Sequence, residues 1–217
     1  MKEFFDLEGP FFRTMTQIVD LVYVSLLFLL CCIPVFTAGA SMTALYYTVH
    51  KTIKHGHSYV TREFFGAFKR NFKQATLVWL FLMLFYGVVG TECYLMYQYA
   101  IKGQAIGKIY IVLMVVIALV VIWNLYLFPY IARFSNSTKQ IMKNAAFFAA
   151  GNMLRSVLLF VLLIFFVLLV VSWPGLVFVL PGLYAFIMER GMEKIYGKYM
   201  SEEDKKAEEE RNREYKN

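Results

Sequence analysis

The chain has 217 residues, 59% of them hydrophobic and 17% charged, with a formal net charge of +7. A soluble domain carries about 25% charged residues, and a disordered chain is poor in aromatics. Here 18% of residues are aromatic and the apolar residues form long uncharged blocks, which excludes both classes and predicts an integral membrane protein. The Lys and Arg fall between the apolar blocks rather than in a basic domain of their own, so no nucleic-acid partner is expected.

The opening stretch, MKEFFDLEGPFFRTMTQ, carries Glu3, Asp6 and Glu8 and lacks the basic start of a cleaved signal. Its Phe4-Phe5 and Phe11-Phe12 pairs predict a segment lying at the membrane interface. Apolar runs follow at 18–36, 37–53, 76–97, 109–131, 156–172 and 176–190. A span needs about 20 residues, so the second and sixth are short and could instead be re-entrant segments buried in protein. Within the second, Ala40 and Ala44 have the spacing that lets two helices approach closely.

Charge decides between these readings. If all six runs cross, twenty of the 22 Lys and Arg fall on one side and only Lys102 and Lys108 on the other. That asymmetry predicts six crossings with both termini cytoplasmic. The expected fold class is all-α: a polytopic membrane helix bundle of about six transmembrane helices as three hairpins, joined by cytoplasmic amphipathic helices. Residues 1–199 form one membrane domain and 200–217 a charged cytoplasmic tail.

Amphipathic stretches precede the second and third hairpins. Phe64, Phe65, Phe68 and Phe72 share one helical face, as do Ile141, Ala145 and Phe148, with basic residues elsewhere, a pattern suited to lying on anionic head groups. Setting Asn71 on Asn152 aligns the two stretches as a weak internal repeat. The first and third hairpins also break alike, at Ile33-Pro34 and Trp173-Pro174.

Few residues suggest chemistry. Asp20 is expected at the inner interface. Glu92, about sixteen residues into the third run, is either a substrate or gating group or a residue reaching the outer interface. Asn124 is a mid-depth polar residue suited to bonding a neighbouring helix. His50, His55 and His57 cluster within eight residues; they read as a metal site or as part of a loop on anionic head groups. Cys31, Cys32 and Cys93 lie in apolar runs and read as small buried hydrophobes. The Asn136-Ser137-Thr138 sequon would be silent on the cytoplasmic side. No phosphate loop, nucleophile elbow or zincin motif is present, so no catalytic activity, cofactor or metal is expected.

The run IPVFTAGASMTALYYTVHK, followed by FFGAFKRNFKQAT and LYLFPYIARF, resembles the YesL-like family of bacterial membrane proteins, a domain-of-unknown-function family numbered 624. The resemblance extends to about Tyr199 and is most specific at Pro34, Thr37, Gly39, Ala40, Ser41, Ala44 and Tyr46. Genes of that family often lie beside ATP-binding-cassette sugar transporters and sugar-responsive sensors. The resemblance therefore implies an accessory or assembly role in carbohydrate uptake or sensing, in the bacterial cell membrane, with the lipid bilayer and an ABC-type sugar permease or a sensor kinase as partners. The alternative is a permease or channel subunit for a small solute; against it, Asn144-Ala145-Ala146 is followed by Gly151 one place late for an ATPase-docking loop.

Overall fold

A computed structural model describes residues 10–53, 59–134 and 136–199. Among them every regular element is helical: α1 (Pro10–Cys32), α2 (Ala38–Thr48), α3 (Val60–Ile101), α4 (Ile109–Arg133), α5 (Thr138–Gly151), α6 (Met153–Ser172) and α7 (Leu180–Tyr199). Three pairs, α1–α2, α3–α4 and α6–α7, are each joined through a short 3-10 turn, at Val35–Thr37, Ala105–Lys108 and Pro174–Phe178. The expected tail at 200–217 and the interfacial segment before Pro10 lie outside the described residues, as do His55 and His57.

Among the described residues four helices are long and apolar enough to cross a membrane: Thr14–Cys32, Val60–Ile101, Ala105–Arg133 and Met153–Ser172. The expected second and sixth crossings take a different form. α2 has 11 residues, about 16 Å at 1.5 Å per residue, and α7 carries Glu189, Arg190, Glu193 and Lys194. The amphipathic stretch before the third run is also not a separate connecting helix. It is the first part of α3, whose 42 residues extend about 63 Å, twice the ~30 Å of a hydrocarbon core. The run from Val60 to Ile101 holds no proline and its charged residues are good helix formers, so the helix continues through Gly66, Gly87 and Gly90 despite the cost of about 1 kcal/mol that each glycine carries.

α2 lies at the centre, packed against α1, α3, α4 and α7. Ala40 and Ala44 are both fully buried, Ala40 in the core around α3 and α4 and Ala44 in the core around α1 and α3; Tyr46 and Phe68 touch both cores. Gly39 shows how close the approach is. A Cβ there would stand 2.5 Å from Trp79 Cβ and 2.6 Å from Ala75 O, so only glycine lets α2 meet α3 here.

Burial follows the register set by Asn71 on Asn152. Val60, Phe64, Ala67, Ala75 and Val78 are buried on α3, and their counterparts Ile141, Ala145, Phe148, Ser156 and Leu159 are buried on α5 and α6. Each asparagine donates its side-chain amide to the carbonyl four residues back, Ala67 O and Phe148 O, both at 3.1 Å. The two copies differ in one respect. The helix runs straight through Asn71 but breaks at Asn152, between α5 and α6.

Candidate functional site

The motif residues of the second apolar run build a turn and a crossing point. Pro34 ends α1 and opens the 3-10 turn, and Thr37 Oγ1 lies 2.5 Å from Cys31 O and 2.6 Å from Pro34 O. The single hydroxyl proton is shared between the Cys31 carbonyl, in the last turn of α1 where intrahelical donors run out, and the Pro34 carbonyl of the turn, which also accepts from Thr37 N–H at 2.9 Å. Gly39, Ala40 and Ala44 set the close packing, and Ser41 is fully buried beside them.

Past Thr48 the backbone widens into a π-helical turn, Val49–Ile53. Such turns insert one residue into a helix and often lie at functional sites. This one presents His50 to two elements remote in sequence. His50 Nδ1 lies 2.5 Å from Glu189 Oε1 on α7. An ionised carboxylate only accepts, so Nδ1 carries a proton towards Glu189, and Arg133 Nη1 stands 3.1 Å from Nδ1 and 3.2 Å from Nε2, against the imidazole as a whole. Arg133, in the last turn of α4, also stands 3.4 Å from Glu189 Oε1. Its guanidinium carbon lies 5.7 Å from the centre of the Tyr196 ring. The Glu189 side chain is 7% exposed and that of Arg133 11%, so this is a nearly dry ionic cluster linking the end of α2, the end of α4 and the middle of α7.

Tyr196 is buried against Tyr130, Phe134 and Phe148. Burial first, and the Glu189 carboxylate second, push its phenol well above the ordinary value, with Arg133 pulling the other way. A second ionic layer stands beside the first. Lys51 Nζ bonds Glu63 Oε2 at 2.8 Å, and Tyr47 lies between Lys51 and Arg70, at 5.5 and 4.6 Å from its ring centre. These contacts define one end of the bundle as the basic end, where Lys69, Arg70, Lys73, Lys139 and Lys143 are exposed.

The other sequence candidates stay apart from this cluster. Asn124 donates to Tyr86 OH at 2.6 Å, tying α4 to α3, while its carbonyl oxygen is buried without a partner among the described residues. Glu92 is exposed on the far half of α3, and the structure does not bring it to Asn124. Cys31, Cys32 and Cys93 are half-buried free thiols. No group of three or more His, Cys, Asp or Glu converges as a metal site among the described residues. The Asn136 sequon has a structural part: Ser137 and Gln140 form a capping box for α5, and Asn136 and Asn144 both donate to Tyr130 OH, at 2.9 and 2.8 Å.

Glu189 escaped the sequence reading because it sits in a short apolar run that the charge count treated as one more crossing. A carboxylate inside that run, with Arg133 closing the fourth run, was the available signal.

Residues 21–92 match the model of a protein family of unknown function, DUF624. The chain carries a DUF624 domain. The domain covers the second half of α1, all of α2 and α3 as far as Glu92, and so contains the motif from Pro34 to Tyr46 and His50. Arg133 and Glu189 lie beyond it, so the ionic cluster joins the DUF624 domain to the rest of the chain. The match is shorter than the resemblance read to about Tyr199. Comparison with curated proteins and with solved structures gave no match.

Proposed function

We propose that this is a non-catalytic accessory or assembly subunit of a bacterial carbohydrate-uptake system of the ATP-binding-cassette type, or of a sugar-sensing system, as the YesL-like resemblance implies. The chain would pass six times between the two ends of the bundle, as three hairpins, with α2 and α7 as short returns shielded by protein. The basic end and both termini would face the cytoplasm. The observation that carries this reading is how the polar groups are divided. Several buried ones bond helix to helix, as in His50–Glu189–Arg133, Tyr126–Ser156 at 2.8 Å and Ser25–Gly182 at 2.8 Å. Exposed basic ones gather on α3 and α5 at one end. That is the arrangement of a stiff scaffold presenting a cationic docking face.

A clean deletion tests it. Sugar uptake should fall together with assembly or ATP hydrolysis of the neighbouring permease. Uptake lost while that permease still assembles and hydrolyses ATP would favour transport by this chain itself. That second reading, a permease or channel subunit, is favoured by one observation, the unpartnered Asn124 carbonyl oxygen between α3 and α4, and Asn124→Ala would then abolish uptake.

A further inference from the structure

A cleft of about 440 Å³ opens where α1 passes the start of α3, lined by Asp20, Tyr23, Tyr59, Thr61, Arg62 and Phe65. Its wall is fixed by the Tyr23–Thr61 hydroxyl pair at 2.9 Å. Two opposite charges face this one space, and neither Asp20 nor Arg62 has an ion-pair partner among the described residues. Left alone, two such charges would gain by pairing with each other; held apart across a cleft, they suit a ligand that carries both signs. The cleft also receives the N-terminus of α3, whose N-cap residue Tyr59 gives no side-chain acceptor. The first N–H groups of a helix attract anions, phosphate above all.

We propose that this cleft seats the headgroup of a zwitterionic, amine-bearing phospholipid. The phosphate lies against Arg62 and the first turn of α3. The ammonium lies against the Asp20 carboxylate, among the rings of Tyr23, Tyr59 and Phe65, which add cation–π attraction. The source is a membrane lipid rather than a soluble phosphoamine because the cleft opens beside bare apolar helix. Ile18 and Val19, next to Asp20 on α1, are 54% and 61% exposed, and Asp20 itself belongs to a candidate span. Acyl chains following the headgroup would cover that surface.

The test is native mass spectrometry of the detergent-purified full chain, titrated with phosphatidylethanolamine, phosphatidylglycerol and phosphatidylcholine. The proposal predicts one saturable phosphatidylethanolamine site, occupied at about tenfold lower lipid concentration than either other lipid. Asp20→Asn and Arg62→Gln should each weaken it about tenfold, the loss expected for one hydrogen bond to a charged group. Equal retention of all three lipids, or a preference for phosphatidylglycerol or phosphatidylcholine, would overturn the proposal on the wild-type chain alone, whether or not the variants fold. Glycerophosphoethanolamine competing at the same concentration as the intact lipid would overturn the lipid assignment in favour of a soluble ligand.

Discussion

At the scale of single residues, the ionic cluster and its tyrosine make the sharpest predictions. The Glu189 carboxylate holds both His50 and Arg133. Removing its charge leaves a guanidinium that is 11% exposed without that anion, and breaking a buried pair in this way costs on the order of 3 kcal/mol. Glu189→Gln should therefore lower the thermal midpoint in detergent sharply, and an unchanged midpoint would show that the cluster does not hold α7. Tyr196 gives a pH dependence. Its folded phenol stays neutral above the ordinary value of 10.0, whereas the unfolded phenol ionises there. The folded chain then binds more protons than the unfolded one, so stability is full below pH 10 and falls as pH rises past it. Tyr196→Phe should flatten that alkaline loss in melts between about pH 8 and 11, leaving neutral-pH stability within about 1 kcal/mol, because the hydroxyl has no partner among the described residues.

At the scale of elements, α2 is the piece whose packing the rest depends on. Ala44→Leu adds bulk at a fully buried site between α1 and α3, and overpacking of this kind costs about 1–3 kcal/mol. Gly39→Ala should cost at least as much for a single methyl group, since the nearest atoms belong to the α3 backbone and a Cβ rather than to a flexible side-chain tip. Thermal stability unchanged by either substitution would remove α2 from the centre of the fold. Much of this element was legible in the sequence. The Ala40/Ala44 spacing named the close contact, and Asn71 set on Asn152 gave the register in which α3 and α5–α6 bury matching positions. The continuity of α3 was not legible, because hydropathy changes sharply near Lys73 while helix propensity does not. Nor was the cluster. His50, Arg133 and Glu189 are separated along the chain by 83 and 56 residues in the contacts they make, and no local pattern marks residues that meet only through the fold of α2, α4 and α7.

At the scale of the whole molecule, the proposed scaffold is embedded in the membrane with its cationic face in the cytoplasm. Orientation can be read directly by attaching an impermeant thiol reagent to Lys139→Cys on α5 and to Gln104→Cys in the turn between α3 and α4, with Cys31, Cys32 and Cys93 replaced by alanine. From outside intact cells only position 104 should react; labelling of position 139 instead would invert the bundle. The most direct test of function is gentle affinity purification of the tagged full chain from its own host, grown on a polysaccharide, followed by mass spectrometry. An accessory subunit predicts stoichiometric recovery of a sugar permease, its ATPase or a sensor kinase. Recovery of the chain alone, as a homo-oligomer that conducts a solute when reconstituted in liposomes, would contradict it.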